Sequence, residues 1–420
     1  MKKRIAFFGP LNPISSGISD YDEELLPLLR EHYEIDVFHN FEINRSNVYP
    51  HGDFLIRNRR DPYDLNIYQL GNALIHEMMY GYLFQFPGAV VFHDLCLHHS
   101  RAKMLLQRGL FDDYRHEAQY AHPEAPVVSE LVATGMGSDL LLYSYPFIKL
   151  VAENSLAAGT HTDWGVAELQ RHGVSAIKIP MAVSVDYGLS ERNSKKETIL
   201  ASFGLVTPEK RISVVLRVLQ ELRPFYPNLQ YRIVGEIAEH YDLRKEISER
   251  HLENVVELIG RTTKDEFHQE MKNADVVINL RYPSAREMSA TLLRAMALGK
   301  PVLMSRLKHL MEIPGDAVIR IRPDNEEAEM FHHLWQLIED PKLRERIGNA
   351  ARNYMQTHHR PEQMLEKYRQ LIETASERKQ KFQRPNLPAH LSSKREMIRE
   401  YIKRTAFADR DSSLLSYLPE

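Results

Sequence analysis

Short apolar runs alternate with amphipathic stretches along most of this chain. The runs are rich in β-branched residues and have the length of buried strands, whereas the stretches between them repeat apolar positions at helical spacing. This alternation predicts parallel β-α-β units. The predicted strands of the first half are residues 4–8, 34–38, 65–70, 89–92 and 175–180, and those of the second half are residues 198–203, 230–234, 254–259, 275–280, 302–304 and 318–321.

The apolar periodicity lapses between Met181 and Glu197, and residues 190–197 are all polar or charged. A chain of 420 residues is too long for one ordinary core, so we predict two doubly wound α/β domains. The predicted boundaries are 1–185 for the N-terminal domain, 186–197 for a linker, 198–377 for the C-terminal domain and 378–420 for a basic tail.

The tail over residues 378–420 has no strand pattern and is strongly basic in its first part. Met397, Ile398, Tyr401 and Ile402 give one predicted helix an apolar stripe. Two interpretations stay open. The helix packs back on the N-terminal domain and leaves its basic face in solvent, or it contacts an anionic membrane surface.

Local patterns predict several helix ends. Ser19 is a predicted cap of the first helix, and Pro27 predicts a kink or an early stop within that helix. Thr263 and Glu266 have the spacing of a capping box. Gly299 is predicted to end a helix just before a second strand.

The stretch from Asn279 to Val302 combines a strand, an irregular loop, a helix and a second strand. The loop breaks at Pro283 and contains one carboxylate, Glu287. Loops of this kind lie at the carboxyl ends of parallel strands, where ligands bind. The backbone N–H groups at the predicted helix start favour an anion, and they belong to Met288, Ser289, Ala290 and Thr291.

Composition narrows the class of protein. The chain is 43% hydrophobic and 26% charged, as globular proteins are, and its net charge of −3 gives no indication of nucleic-acid binding. The lone Cys96 excludes an internal disulfide and is consistent with a reducing compartment. No apolar run approaches the ~20 residues that span a bilayer. We therefore expect a cytoplasmic protein, with peripheral contact at the inner membrane face as the alternative that the tail leaves open.

Three pieces of sequence resemble the retaining glycosyltransferases of family 4, in a branch common among enzymes of bacterial surface polysaccharides. They are Ser16-Gly-Ile-Ser-Asp-Tyr21, then Gly71-Asn72 with His76 and Pro87-Gly-Ala-Val-Val-Phe-His-Asp94, and finally Phe203-Gly-Leu-Val-Thr-Pro-Glu-Lys-Arg211 with Arg294-Ala-Met-Ala-Leu-Gly-Lys-Pro301. The resemblance covers nearly all of residues 1–375. It implies the GT-B fold, in which two Rossmann-like domains face a central cleft.

The resemblance also implies roles for particular residues. Lys210, after a strand and a turn at Gly204, would meet the diphosphate of a nucleotide sugar and stabilise its departure. Glu287 would bind hydroxyls of the donor sugar, although it stands one residue out of register with the family carboxylate. His93 would lie beside the transferred sugar, and Asp94 would face the same cleft.

Other positions depart from the family pattern or match it only by place. The family arginine after the glycine is Leu205 here, so Arg211 or another base would have to substitute. The second family glutamate is Arg294, for which an ion pair with a carboxylate and a contact with phosphate both stay open. Gly17 would let the first loop approach the diphosphate or the acceptor closely. Arg261 follows a strand where the family contacts the nucleotide base.

Four neighbouring residues could also be interpreted as a metal cluster. His93, Asp94, His98 and His99 contain metal-ligating groups, but their spacing defines no coordination geometry, and we expect no metal. We expect no cofactor either, because the nucleotide sugar is the donor substrate.

The resulting hypothesis is a retaining, metal-independent hexosyltransferase that uses GDP-mannose or a UDP-hexose and a glycan or lipid-linked acceptor. The alternatives are a non-catalytic GT-B subunit that binds a nucleotide or a glycan, and another GT-B enzyme such as a nucleotide-sugar epimerase. No nucleic-acid partner is expected, and the sequence leaves the oligomeric state open.

Overall fold

A computed structural model describes residues 2–14, 16–40, 43–183 and 197–392 of the chain. These residues form two compact units. Within the described residues the first unit covers 2–180 (without 15, 41 and 42), 285–288 and 362–392, and the second covers 181–183, 197–284 and 289–361. The predicted linker up to residue 196 and the predicted tail helix around residues 397–402 lie outside the described residues.

The first unit contains a seven-stranded parallel sheet in the order β3-β2-β1-β4-β5-β6-β7. Its strands are β1 Arg4–Phe8, β2 Glu34–His39, β3 Val48–Pro50, β4 Leu65–Leu70, β5 Ala89–Phe92, β6 Ala157–Thr160 and β7 Ala176–Lys178. The helices before the second sheet are α1 Gly17–Arg30, α2 Phe54–Arg60, α3 Glu77–Gln85, α4 His98–Leu106, α5 Phe111–Ala121, α6 Pro126–Ala133, α7 Asp139–Ser144, α8 Ile148–Glu153 and α9 Asp163–Gln170.

The second unit contains a six-stranded parallel sheet in the order β10-β9-β8-β11-β12-β13. Its strands are β8 Thr198–Phe203, β9 Leu229–Val234, β10 Val256–Gly260, β11 Val276–Asn279, β12 Val302–Ser305 and β13 Ile319–Ile321. The remaining helices of the chain are α10 Ile212–Leu222, α11 Leu243–Glu249, α12 Lys264–Asn273, α13 Ala290–Ala297, α14 Glu326–Glu339, α15 Pro341–His358, α16 Pro361–Lys379 and α17 Ala389–Ser392.

Both sheets are buried because parallel strands joined by helical crossovers are covered on both faces. In the first unit the core is aromatic: the ring of Phe8 lies 5.2 Å from Phe38, 4.8 Å from Tyr68 and 5.1 Å from Phe54. Each aromatic pair of this kind contributes about 0.5–1.5 kcal/mol beyond its buried area. In the second unit the core consists mostly of Leu, Val and Ile side chains.

Several local predictions were wrong. Ser16, not Ser19, caps α1, because its Oγ accepts the N–H of Ser19 at 3.0 Å. Pro27 does not end α1, which continues to Arg30. The segment around Pro146 forms two short helices, α7 before this proline and α8 after it.

Two strands escaped prediction because they lack the usual strand composition. The β6 strand reads Ala-Ala-Gly-Thr, and the β3 strand ends in Pro50. Other local predictions are confirmed. Thr263 and Glu266 form the capping box of α12. Gly299 has φ +68° at the end of α13, where Lys300 N–H donates to Ala295 O and Gly299 N–H to Met296 O.

The C-terminal helices belong to different units. From residue 362 onward α16 groups with the first unit, whereas the sequence had placed residues 362–377 in the C-terminal domain. Tyr368 of α16 is fully buried and hydrogen-bonds with the hydroxyl of Tyr21 at 3.0 Å. Leu391 of α17 joins the aromatic core around Phe8. Among the described residues no helix combines the length and the apolar composition that crossing a membrane requires.

The strand order reverses direction between β1 and β4 in the first sheet and between β8 and β11 in the second. At such a reversal the loops after the two neighbouring strands diverge to opposite faces of the sheet and leave a crevice at their carboxyl ends. The loops that follow β1, β4 and β5 in the first unit, and β8 and β11 in the second, are therefore the places where ligand-binding residues are expected.

One buried group near β1 makes a stability prediction. Asp22 of α1 is fully buried, and its carboxyl has no hydrogen-bond partner among the described residues. A Cβ added to Gly9 would lie 2.3 Å from its Oδ2, so the group is tightly enclosed. Burial, and next the charge of Glu23, raise the pKa of Asp22 well above its usual range.

We expect Asp22→Asn to raise the Tm at pH 8 by a few degrees, which corresponds to about 1 kcal/mol. Because the pKa of Asp22 is raised in the folded state, the free energy of unfolding falls as pH rises from ~3.9 toward that pKa. Asparagine does not titrate, so the variant has no such loss. The gain should shrink toward pH 4 in thermal melts. The exposed Asp53→Asn is the control, and an equal gain from Asp22→Asn at both pH values would contradict the assignment.

Candidate functional site

His93 directly follows β5, and its backbone N–H donates to Leu70 O at the end of β4 at 2.9 Å. The side chain is 6% exposed. Its ring stands edge-on to Tyr21, with the ring centroids 4.9 Å apart. His93 therefore lies at the carboxyl end of β5 and is hydrogen-bonded to the end of β4, one of the two strands at the reversal in the first sheet.

A chain of hydrogen bonds fixes the protonation of His93. His161 Nδ1 lies 3.0 Å from the carbonyl oxygen of Ile179, so this nitrogen must hold a proton and donate. His161 Nε2 is then an acceptor, and it receives the Nδ1–H of His93 at 3.1 Å. His93 Nε2 lies 2.7 Å from the Gln69 side-chain oxygen Oε1, and we assign the amide NH2 to this position, with O and N exchanged, so that Nε2 accepts from it.

This arrangement requires the Gln69 amide to turn its NH2 toward His93 and its oxygen toward the hydroxyl of Tyr368. With the amide oxygen facing His93 instead, the imidazole would need protons on both nitrogens. Burial, reinforced by His161, lowers the pKa of His93 well below its ordinary value and opposes that state. Both ring nitrogens are thus engaged within the first unit.

Asp94 holds the loop that follows β4. Its Oδ2 accepts the backbone N–H of Asn72 at 2.5 Å, and Asn72 Oδ1 accepts the N–H of Ser100 at 2.9 Å. A Cβ on Gly71 would lie 3.0 Å from Asp94 Oδ2 and 2.5 Å from Ile18 Cδ1, so this close approach requires glycine. The carboxylate has at least one structural function.

The segment 285–288 groups with the first unit. Ala285 O accepts the N–H of Leu95 at 2.9 Å. Arg286 has φ +63°, and its guanidinium lies 5.6 Å from the centre of the Trp164 ring. These contacts place the following Glu287 in the neighbourhood of β5.

Glu287 and Asp94 act on the same neighbour. Burial raises the pKa of the Cys96 thiol to about 11, and the charges of Asp94 and Glu287 act in the same direction. The two carboxylates therefore share one neighbourhood. Gly17 begins α1, and a Cβ there would meet no atom of the described residues within 4 Å. Packing of the chain does not itself require this glycine.

In the second unit two groups converge on Gly204, which follows β8 with φ +83°. A Cβ at this position would lie 3.0 Å from Lys210 Nζ and 3.8 Å from Thr291 Oγ1. Lys210 Nζ donates to the carbonyl oxygen of Phe203. An ammonium group and the first turn of α13 thus meet beside the strand-order reversal of the second sheet.

The start of α13 differs from the prediction. Ser289 is the N-cap, with Oγ accepting the N–H of Leu292 at 3.3 Å, and the first helical residue is Ala290. Met288 is buried and groups with the first unit. Of the four residues predicted to present N–H groups at a helix start, only Ala290 and Thr291 stand in the first turn of α13.

Arg281 was missed by the sequence analysis. Its backbone N–H donates to Ser305 Oγ at 2.9 Å, and its Nη2 lies 3.4 Å from Ser289 Oγ at the cap of α13. A second cation therefore stands at this helix start. The sequence did contain one indication of this role: Arg281 stands two residues beyond the end of β11, where parallel strands present ligand-binding groups.

Arg211 does not substitute for the family arginine in this geometry. Its guanidinium is paired with the buried Glu326, with Nε and Nη2 2.8 and 2.7 Å from Oε2. Leu205 is 57% exposed. Arg294 is 6% exposed in the last turn of α13, where a positive charge suits the helix dipole. Arg261 is exposed after β10.

Part of the sequence matches a known protein family. Residues 190–354 match the family model for glycosyl transferases group 1. The matched stretch contains Gly204, Lys210 and α13. No protein with a curated description matches the sequence.

Solved structures resemble the chain over most of its length. Sucrose-phosphate synthase (tll1590) from Thermosynechococcus elongatus is 15% identical with a TM-score of 0.61, covering 89% of this chain and 98% of that one. WaaG, a glycosyltransferase involved in lipopolysaccharide biosynthesis, is 15% identical with a TM-score of 0.59, covering 86% and 98%. Anabaena HepE in complex with UDP is 15% identical with a TM-score of 0.57, covering 89% and 100%.

At this identity the likeness establishes the fold, and the predicted pair of doubly wound Rossmann-like domains is confirmed. The family model matches residues 190–354, which is less than half of the chain. In this GT-B chain Lys210, Arg281 and Thr291 gather in the second unit, whereas His93, Asp94 and Glu287 gather in the first.

The histidines near β5 do not form a metal centre with His93 in the described structure. His98 Nε2 lies 2.8 Å from the Tyr114 hydroxyl, and its ring stacks on Phe147 with the centroids 3.9 Å apart. Burial lowers the pKa of His98 to about 3. This histidine belongs to the core.

The hydrogen-bond chain predicts that His93 stays neutral with its proton on Nδ1 from pH 8 to pH 5. Burial lowers the pKa of His161 to about 4, so both rings resist protonation in the folded state. In the unfolded chain both histidines take up a proton near pH 6.5. The free energy of unfolding therefore falls as pH drops below that value.

Nitrogen-15 NMR of labelled protein reports the tautomer directly, and the His93→Gln variant assigns the resonance. A proton on Nε2 of His93, or a titration of its ring near pH 6.5, would show that the proposed hydrogen-bond direction is wrong.

Proposed function

We propose that the protein is a retaining, metal-independent glycosyltransferase that moves a hexosyl unit from a nucleotide sugar to a glycan or lipid-linked acceptor. The observation that supports it most is the convergence of Lys210 and the first turn of α13 on Gly204. That arrangement sits within the stretch that matches glycosyl transferases group 1.

The second unit offers a seat for a diphosphate. Lys210 contributes an ammonium group, and Ala290 and Thr291 contribute N–H groups that have no partner within their own helix. Arg281 adds a second cation at the cap of α13. Positive charge placed where negative charge grows during the reaction lowers the barrier, and removing one such donor typically costs ~3 kcal/mol.

The proposed step breaks the bond between the anomeric carbon and the diphosphate oxygen. The acceptor hydroxyl forms the new bond on the same face of the sugar, and its proton passes to the departing diphosphate. This front-face course needs no protein nucleophile. Lys210 stabilises the leaving diphosphate, and no metal is required for that charge.

The first unit would contribute the acceptor side. Glu287 and Asp94 share one neighbourhood there, and Glu287 is the candidate for orienting hydroxyls of the transferred sugar. The nitrogens of His93 are engaged, so His93 acts by holding the end of β5 in place rather than by exchanging protons. The open space at Gly17 leaves room for a ligand at the start of α1.

GDP-mannose and UDP-hexoses are the proposed donors. The structure of Anabaena HepE was determined with UDP and with UDP-glucose, which favours testing uridine nucleotides first. The proposed location is the cytoplasm, with the acceptor either free or lipid-linked at the inner membrane face.

A screen of nucleotide sugars tests the function. Purified protein is titrated with UDP- and GDP-hexoses by calorimetry, and slow hydrolysis of each donor is followed without an acceptor. We expect one donor to bind and to be hydrolysed slowly. Binding without any turnover, even with acceptors, would favour a non-catalytic subunit, and the exposed Leu205 at a family ligand position is the observation that motivates this alternative. Absence of binding to all donors would refute both.

Lys210→Ala should reduce donor turnover about 100-fold or more, because the leaving diphosphate loses a charge worth ~3 kcal/mol. The matched control is Lys245→Ala, whose side chain is 69% exposed on α11. Steady-state rates with the identified donor provide the measurement, and an unchanged rate in Lys210→Ala would remove this residue from the mechanism.

A further inference from the structure

Two histidines and an aspartate meet on the first unit, far along the chain from the residues discussed above. Asp113 and His116 stand three positions apart on α5, so their side chains share one face of the helix. His390 belongs to α17. One potential ligand atom from each lies within 4.8 Å of the other two.

A buried carboxylate orients His390. Its Nε2 lies 2.7 Å from Glu117 Oε1, and Glu117 is fully buried. Arg101 Nε donates to the same carboxylate at 2.6 Å. Because the Arg101 guanidinium pairs with this carboxylate, the carboxylate is the acceptor in its contact with His390 Nε2. The Nε2–H of His390 is thereby committed to Glu117.

The other nitrogen of His390 points to the aspartate of the cluster. His390 Nδ1 faces Asp113 Oδ1 at 3.6 Å. A cation between these two atoms would be bound by both of them. Histidine ligands of metals usually donate their second ring N–H to a carboxylate, as His390 does to Glu117.

We propose that Asp113, His116 and His390 bind a divalent transition metal of the zinc class, with Glu117 as the outer partner that fixes His390. Tetrahedral zinc with bonds near 2.1 Å places its ligand atoms about 3.3 Å apart. The Asp113–His390 pair is close to this spacing already. The exposed side chain of His116 offers the third ligand atom, which lies within 4.8 Å of the other two.

Binding would fasten α17 to α5. Leu391, next to His390, packs in the aromatic core of the first unit, so the metal would hold the start of the basic tail against that unit. The site lacks the residues assigned to donor and acceptor, and it is therefore independent of the proposed transferase reaction.

Calorimetry with Zn²⁺ alone tests the site on full-length, chelator-treated protein. We expect one Zn²⁺ per chain, and a Co²⁺ derivative with the visible absorption of a four-coordinate ion. His116→Ala should weaken Zn²⁺ binding by at least ~10-fold. His32→Ala, which removes another exposed histidine of the same unit, should leave the affinity unchanged.

Thermal melts give a second readout, because a ligand that binds only the folded state raises the Tm. Zn²⁺ should raise the Tm of wild type and of His32→Ala but not of His116→Ala, a surface substitution that leaves the Arg101–Glu117 pair in place. The proposal is overturned if wild type binds no Zn²⁺, or if His116→Ala and Asp113→Asn bind it as tightly as wild type does.

Discussion

The reversal of strand order in each parallel sheet is the constraint on which the candidate site depends. Parallel strands joined by helices bring all their carboxyl ends to one edge, and the loops on either side of the reversal diverge to opposite faces. In the second sheet the loops after β8 and β11 bring Lys210, Arg281 and the start of α13 to this place. The chemistry proposed for the protein needs cations and helix N–H groups together, and this topology supplies both.

The first unit uses a comparable position for a different purpose. His93 follows β5, yet its two nitrogens are bound to His161 and Gln69, and Gln69 continues to Tyr368 of α16 and from there to Tyr21 of α1. Burying such a chain is favourable only when each donor meets an acceptor. Through Tyr368, α16 is therefore part of the hydrogen-bond network that holds the end of β5. A change at Tyr368 would act on this part of the molecule from a distant point in the sequence.

Strands with strong apolar character were predictable, since burial on both faces imposes continuous Val, Ile and Leu runs. The short strands β3 and β6 were not, because Pro50 and the small residues of 157–160 lack that pattern and pair only through their neighbours. Lys210 and Gly204 were predictable from a strand followed by a turn. The ion pair between Arg211 and Glu326 was not predictable. Glu326 lies far from Arg211 in the sequence, and the two meet only when α10 and α14 pack together.

The sequence by itself determined the two doubly wound sheets, the capping box of α12, the end of α13 at Gly299 and the strand-turn placement of Lys210. These features depend on the types and spacing of residues that are close together in the sequence. The tertiary structure alone decided which groups meet: Arg281 with the cap of α13, His93 with His161 and Gln69, and His390 with Asp113 and Glu117. Such contacts join residues that are distant along the chain, so their partners are set by packing.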